Sequence, residues 1–514
     1  MDSRPPLPIH PALFAAVPPL FLFGQNAIQQ VNLDPLWLPL VACVVAGALL
    51  AFLLAAFYRD WQRGALAASL ILIGFFSFGH AANLLGAHDA ARLWLAGGYV
   101  VLLLAGLVGL SRGRSTRIHE ATRFANLVSL ALVAINAAGV IGFAVGVSRI
   151  GTPGSAMPLQ HVAAPAHKPD VYYIILDRYA GAQTLASDYG FDNAPFLDAL
   201  KQRGFSVAAD AWANYPKTAY SLVSSLNGWL LDPKDMGWTD PISFAPIHLA
   251  LRSSLSVPVT FKQMGYEYVH IGNYWEPSAT NVDADVSMRY GTGSEFAAAL
   301  LTTTAWSLVQ QGSAQDLDPE TTELPALARA TTLYEFSALR EAATRPGPKF
   351  VFAHFLLPHP PYVFDADGSE PTADETRDRT DEEAYVQQLR WANDQLLHLV
   401  DDLLDVPQDK RPIVILQADE GPFPERFARD QENFNWLQAT DAEVSQKYGI
   451  LLAMALPDAK PEEHGFTDHT SPVNVFRVVL DAEFGSDLPV LPDDTYLIQD
   501  YRHLNVLIPY HRPQ

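Results

Sequence analysis

Four uninterrupted apolar stretches occupy the first third of the chain, at about 35–57, 65–87, 93–111 and 124–148. Each is close to the ~20 residues a helix needs to cross a bilayer. A fifth, 11–31, is broken by Pro18, Pro19, Gln25 and Asn26, so it reads as a kinked span or a re-entrant one. A cleavable signal peptide fits it poorly, because no basic stretch precedes it and more spans follow. After residue 150 the pattern changes. Residues 151–169 are rich in Pro, Ala and Gly without apolar periodicity, the mark of a linker. Short continuous apolar runs at 171–176, 349–355, 412–418 and 449–455 then suit strands buried on both faces. Helical patterns at 193–203, 325–344 and 384–405 lie between them. This alternation predicts an α/β protein: an N-terminal bundle of about five transmembrane helices, then a doubly wound, mostly parallel sheet. The expected domains are 1–150, a linker at 151–169, and 170–514.

Charge separates the same two parts. The 514 residues carry 34 basic and 56 acidic side chains, a net −22. Residues 1–150 hold nine Arg against five acidic groups, so the remainder carries −26. That balance excludes nucleic-acid binding, which depends on clustered Lys and Arg. Arg59 and Arg63 fall between the second and third spans, and Arg112, Arg114, Arg117 and Arg123 between the fourth and fifth. By the positive-inside rule these loops are cytoplasmic, and the C-terminal domain is expected on the periplasmic or extracellular side of the cytoplasmic membrane. The single cysteine, Cys43, lies in a span. A domain of ~350 residues can bury enough core without disulfides. The acidic stretch 365–383 lacks the spacing of an EF-hand and is expected to be a solvated loop.

In a parallel sheet, ligands collect beyond the carboxyl ends of the strands. Asp177 directly follows YYIIL, and Asp419 and Glu420 directly follow PIVILQA. One acid at a strand end is commonly a turn former or helix cap; three at two buried ends would repel one another, and a metal ion explains them more economically. Thr218, in NYPKT before the apolar-periodic AYSLVSSLN, falls at or near a helix start. It is either an N-cap or a nucleophile placed where backbone N–H groups and the helix dipole favour an alkoxide. In KFVFAHFLLPHPPY, His359 sits between two prolines on a stiffened loop and suits a substrate or acid–base role. Trp212, Tyr215, Tyr274, Trp275 and Tyr362 line a sugar-sized pocket or pack the core. Asn474 and Arg477 in SPVNVFR read as structural.

The motifs PDVYYIILD, NYPKTAYSLVSSLN, FAHFLLPHPPY, ILQADEGP and SPVNVFR, in this order, resemble the sulfatase-like branch of the alkaline phosphatase superfamily. The resemblance is greatest to membrane-anchored members such as lipoteichoic-acid synthases and phosphoethanolamine transferases. It implies that Asp177, Thr218, Asp419 and Glu420 hold the metal, that Thr218 is the nucleophile, and that His359, with Lys217 and Asn214, contacts substrate. It also implies a covalent enzyme ester, resolved by water or an acceptor hydroxyl. Two departures change the picture. The Cys/Ser-x-Pro-x-Arg motif of sulfatases is missing at Thr218, which disfavours sulfate esters. The usual Asp-His-Gly reads Asp419-Glu420-Gly421, an all-oxygen set that favours one Mn²⁺, Mg²⁺ or Ca²⁺ over Zn²⁺. No clear second ligand set appears, although His464 and His469 lie downstream.

The expected activity is therefore a metal-dependent phosphoryl-type transferase or hydrolase, an integral membrane protein acting on a membrane lipid or on lipid-linked or envelope-glycan phosphoesters. The alternative is a non-catalytic, membrane-tethered binding or assembly protein that keeps the fold.

Overall fold

The structure is a computed structural model that describes residues 5–27, 30–85, 89–150, 157–159, 167–233, 243–253, 255–291, 295–308 and 325–512. Most of the expected linker, 151–169, lies outside the described residues. The chain divides into two compact units, Met1–Arg149 with Ser294–Glu323, and Ile150–Gly293 with Leu324–Gln514.

The first unit contains α1 (His10–Gln25), α2 (Asp34–Tyr58), α3 (Trp61–Leu84), α4 (Asp89–Arg112) and α5 (Ser115–Ile150). Four of them, α2 to α5, are long and apolar enough to cross a membrane. Their outward apolar side chains, such as Phe57, Trp94 and Leu102, are exposed, as a lipid solvent permits. Helix α1 has 16 residues, about 24 Å at 1.5 Å per residue, short of the ~30 Å hydrocarbon core. It lies beside α3 in the same direction: the Gln62 amide donates to the Pro6 carbonyl, His10 Nδ1 is 2.6 Å from Ser69 Oγ, and the Phe21 and His80 rings are 6.0 Å apart. A short helix, Glu295–Thr302, belongs to this unit and was not expected from the sequence. Its Phe296 is buried against Phe23, and the Gly79 N–H donates to Thr303 O at 3.1 Å. A Cβ on Gly79 would stand 2.5 Å from the Thr303 carbonyl, so only glycine allows this approach.

The second unit is built on a seven-stranded sheet in the order β2-β7-β6-β1-β5-β3-β4. Its strands are β1 (Val171–Leu176), β2 (Ser206–Val207), β3 (Glu267–Gly272), β4 (Val286–Arg289), β5 (Lys349–Phe355), β6 (Ile413–Ala418) and β7 (Leu452–Ala455); a separate hairpin pairs β8 (Thr495–Ile498) with β9 (Leu507–Tyr510). Five strands, β6, β1, β5, β3 and β4, run parallel; β7 is antiparallel to both β6 and β2. The three central strands, β5, β1 and β6, are buried at every residue, which is why each reads as a continuous apolar run. Helices Ala194–Gln202, Pro325–Ala343 and Asp381–Leu404 fill the expected helical stretches.

The acidic stretch 365–383 is not simply a loop. Helix Ala373–Asp378 occupies part of it, and capping boxes pair Thr372 with Glu375 and Thr380 with Glu383. Asp374, Glu375, Asp381, Glu382 and Glu383 sit in first turns, where the helix dipole favours them.

Directly after Asp419 and Glu420, the Gly421 N–H donates to Lys447 O at 2.7 Å, and a Cβ there would lie 2.2 Å from Gln446 O. Both neighbours are backbone and cannot turn aside. Gly421→Ala is expected to destabilise the protein by about 1–3 kcal/mol, seen as a lower melting temperature of the full-length protein by tryptophan fluorescence; an unchanged melting temperature contradicts this packing.

Candidate metal centre and active site

Each of the three central strands delivers one donor at its carboxyl end. Asp177 follows β1, Asp419 follows β6, and His354 is the penultimate residue of β5. Ile175 is in register with His354, and Leu176 with Ala418, so side-chain alternation places His354, Asp177 and Asp419 on one face of the sheet. One ligand atom from each lies within 4.8 Å of the others. All three side chains are buried. Asp177 Oδ1, Asp419 Oδ2 and His354 Nε2 have no hydrogen-bond partner among the described residues. Converging, desolvated donors of this kind fit a divalent cation, since two bare carboxylates would otherwise face each other in a low dielectric.

The imidazole is prepared for such a role. Ser278 Oγ donates to Asn273 Oδ1 at 3.0 Å, and Asn273 Nδ2 donates to the His354 carbonyl at 2.7 Å. Ser278 Oγ is then free to accept from His354 Nδ1 at 3.0 Å, a shorter contact than the 3.3 Å from Asn273 Nδ2 to the same nitrogen. This arrangement leaves the lone pair on Nε2, the way a second layer of hydrogen bonds fixes a ligating histidine. Burial, reinforced by His270, pushes the His354 pKa down to about 3, so the ring is neutral.

Thr218 opens the helix Thr218–Asn227, whose remaining residues are all buried. The Tyr173 hydroxyl on β1 donates to Ser225 Oγ of this helix at 2.9 Å and fixes it to the sheet. The N-cap is Lys217, with no side-chain cap. Thr218 is thus the first helical residue, and its hydroxyl is directed at the Asp419 carboxyl. Burial is the largest influence on that carboxyl, followed by repulsion from Glu420; the hydrogen bond from Thr218 opposes them, and the balance raises Asp419 to about 7. Asp177 is raised well above the usual carboxylate range by burial first and the Asp419 charge second.

Glu420 points to other partners. Its Oε1 lies 2.6 Å from Lys447 Nζ and 3.6 Å from Arg178 Nε, and it is not one of the three converging donors. The Arg178 guanidinium sits 3.3 Å from the centre of the Phe423 ring, with Lys447 at 4.0 Å and Lys217 at 5.5 Å. Three cations thus surround one aromatic face. Burial lowers the Lys447 pKa to about 7, against the opposing pull of Glu420. Arg178 has a φ of 62°, a left-handed conformation rare for a side chain of this size. The Tyr385 hydroxyl donates to Arg178 O at 2.9 Å and accepts from the Ala180 N–H at 3.1 Å, and so secures that turn.

Among the residues expected to contact substrate, His359 is close by. Its Nε2 is 4.0 Å from Asp177 Oδ2, and its Nδ1 is bonded to the Pro360 carbonyl. Burial, then Arg178, holds its pKa well below the ordinary value. Lys217 Nζ donates to the Tyr501 hydroxyl at 2.6 Å. Asn214 is buried, and its side chain is occupied by Ser471 Oγ, Asp494 O and the Val473 N–H; it braces the loop before Thr218. His464 pairs with Asp481 and His469 with Asp210. Trp212 stacks between Tyr448 and Tyr510, and Tyr215 stacks on Tyr496. Asn474 bonds Leu491 O and Asp493, and Arg477 bonds the Gly228 and Pro489 carbonyls.

The model of the sulfatase family matches residues 169–469, a stretch that holds every donor described above. The chain belongs to the sulfatase family. Solved structures similar to it include the periplasmic domain of EptC from Escherichia coli in complex with Zn (14% identity, 69% of this chain and 96% of that one, TM-score 0.44). Another is the integral membrane lipooligosaccharide phosphoethanolamine transferase EptA from Neisseria meningitidis (12% identity, 93% and 96%, TM-score 0.41). A third is the phosphonate monoester hydrolase of Agrobacterium radiobacter (14% identity, 64% and 80%, TM-score 0.38). No curated protein matches the chain.

Within this sulfatase-family domain, sequence reasoning missed His354, Arg178 and Lys447. His354 had a readable signal, a polar residue at the end of the apolar run KFVFAHF. Lys447 had none, being an ordinary lysine in a helical pattern.

Two expectations follow from the charge state. Raised carboxyls mean that the folded protein without metal binds protons more tightly than the unfolded chain, so the stability they contribute is full below about pH 4 and is lost as pH rises to about 7. A divalent cation favours the ionised carboxylates, so its binding at pH 6 should release protons, and the release should vanish above about pH 8. Calorimetry in buffers of different ionisation enthalpy measures this directly, and the share of the release that belongs to Asp419 is the part that fades as pH rises through about 7. Ser278→Ala, which removes the partner of His354 Nδ1, should weaken metal affinity by about 10- to 100-fold. Equal affinity would show that the imidazole is not a ligand.

Proposed function

We propose that the protein is a metal-dependent phosphoryl-type transferase or hydrolase at the outer face of the cytoplasmic membrane. Its substrates would be lipid-linked or cell-envelope glycan phosphoesters, and Thr218 its nucleophile. The observation that carries this reading is the place of Thr218: it is not used as a cap, it stands at the positive end of its helix, and its hydroxyl is close enough to Asp419, beside the Asp177 and His354 donors, to pull that carboxyl's pKa down.

Asp177, His354 and Asp419 would hold one divalent ion, with the Thr218 oxygen adjoining it. Such an ion, when bound, lowers the pKa of a hydroxyl and neutralises charge on the transferring group. With an imidazole in the set, the all-oxygen argument against Zn²⁺ loses its premise, and Zn²⁺ and Mn²⁺ both suit the donors. Glu420 instead acts as counter-ion, holding Lys447 and Arg178 against Phe423.

Asp419 is placed to take the Thr218 proton. The Thr218 oxygen then forms a bond to phosphorus while the bond from phosphorus to the leaving alcohol breaks. His359 is neutral and its Nδ1–H donates to the Pro360 carbonyl, so the Nε2 lone pair faces the site and is placed to take the proton of the water or acceptor hydroxyl that resolves the ester, while the leaving oxygen takes its proton from solvent. Backbone N–H groups at the helix start, together with Lys217 and Arg178, supply positive potential for the phosphoryl oxygens. Water or an acceptor hydroxyl resolves the Thr218 ester. The cations around Phe423 and the absence of a Cys or Ser at position 218 favour phosphoryl over sulfuryl transfer.

The test is mass spectrometry of Thr218 after incubation with phospholipids of defined headgroup and Mn²⁺ or Zn²⁺. A covalent adduct is expected in the wild type and not in Thr218→Ala, whose turnover should fall at least about a thousandfold. Folded protein that binds metal yet gives no adduct with any lipid class would favour the non-catalytic binding reading.

A further inference from the structure

The first unit contains a cavity of about 710 Å³ between α1, α3 and α5, reached by Leu110 at the end of α4. Its wall is nearly all hydrocarbon, including Phe14, Phe21, Leu70, Ile73, Ala125 and Leu132. The polar side chains on it all belong to α3: Ser69, Ser77 and His80. Two are engaged elsewhere, since Ser69 meets His10 Nδ1 at 2.6 Å and Ser77 meets the Tyr99 hydroxyl at 3.2 Å. His80 is exposed, has no hydrogen-bond partner among the described residues, and meets Phe21 in a T-shaped ring contact. The cavity follows α3 from Leu66 to His80, fourteen helical steps or about 21 Å. That exceeds the ~15 Å of hydrocarbon in one leaflet. Helix α3 begins at Trp61, between Arg59 and Arg63 on the cytoplasmic side, so His80 marks the outward end. The helices that bound the groove are apolar enough to lie in a membrane, where the surrounding solvent is itself acyl chain.

We infer that this groove binds one acyl chain of an outer-leaflet phospholipid, with the ester and headgroup region level with His80. A chain entering from the outer leaflet matches the groove in chemistry and fits within its length, and the imidazole of His80 lies where the lipid turns polar. That the bound phospholipid is also the substrate rests on the proposed function; the binding itself does not.

The test uses the full-length protein in nanodiscs of phosphatidylethanolamine and phosphatidylglycerol, with a trace of phospholipid carrying a diazirine at mid-chain. After irradiation, labelled peptides are mapped by mass spectrometry. The expected result is at least fivefold more label on residues 66–80 and 121–132 than on the outward faces of α2 and α4. The excess should saturate as unlabelled phospholipid is added. Ala125→Trp, which fills the groove, should abolish it, whereas Gly139→Leu, whose new side chain starts in open space, should not. Label spread evenly over all apolar faces, an excess that does not saturate, or one that survives Ala125→Trp overturns the inference. If Ala125→Trp does not fold, the saturation experiment on the wild type decides alone. Labelling needs no turnover, so a groove that labels in a protein forming no Thr218 adduct upholds this site and removes the chemistry, and the opposite pair of results does the reverse.

Discussion

Two carboxylates buried at neighbouring strand ends are the constraint around which the second unit is organised. Asp177 and Asp419 are adjacent because β1 and β6 are parallel and in register, and each lies almost wholly out of water. Desolvating one ionised carboxylate costs several kcal/mol, and a second beside it adds repulsion. The protein supplies only partial compensation: the Arg178 N–H at 3.4 Å from Asp419 Oδ1, and the Thr218 hydroxyl. The remaining oxygens stay orphaned among the described residues. A sheet this rigid, with every residue of β5, β1 and β6 buried, keeps the pair together although the pair disfavours it. Strain held in place in this way is characteristic of functional sites.

The neighbouring charges relieve that tension only in part: Arg178 and Lys447 pull the Asp177 carboxyl down, and Lys447 pulls Asp419 down, yet burial and mutual repulsion still win. Lys447 is fully buried and would be the natural partner for either aspartate, yet its ammonium is 2.6 Å from Glu420. Glu420 follows Asp419 directly, and consecutive residues leaving a strand point to opposite sides. One side receives the orphan donors and the other a neutralised ion pair with Arg178 and Phe423. A buried ion pair adds little net stability, but removing one member leaves the other uncompensated. Glu420 therefore keeps two cations next to the site while its own charge adds to the repulsion on Asp177 and Asp419.

What could be read from the sequence follows from these rules. The central strands were legible because burial on both faces forces a continuous apolar run, and Asp177 and Asp419 because each is the first polar residue after one. His354 was harder: it lies inside β5 rather than beyond it, and its side is set by register with Ile175, which no local pattern reveals. Strands β3 and β4 escaped because EYVHIG and VSMR mix polar and apolar residues at the sheet edge. The antiparallel sense of β7 carries no composition signal at all. Thr218 shows the limit most clearly. As a residue type it fits an N-cap as well as a nucleophile, and only the backbone at Lys217, extended at φ −139° and ψ 133°, moves the cap back by one and frees the hydroxyl. By contrast, the helix in the acidic stretch could have been found, since Thr372 and Thr380 each precede a glutamate by three residues.

The first unit obeys a different solvent, and its exceptions follow from that. Long apolar runs identified α2 to α5 because a spanning helix must satisfy its own backbone and present hydrocarbon outward. The helix Glu295–Thr302 has only eight residues, too few for any such window; Phe296 packs it among Leu20, Phe23, Leu36 and Val140, and the chain just after it closes on Gly79. Where there is no hydrophobic drive between helices, association depends on small residues that let backbones meet. Glycine at position 79 is such a residue, and its side-chain hydrogen is all that separates α3 from the Thr303 carbonyl. The return of the chain to this unit after β4 is therefore specified by local fit and not by hydropathy, which is why a reading based on hydropathy places 295–308 with the water-facing part.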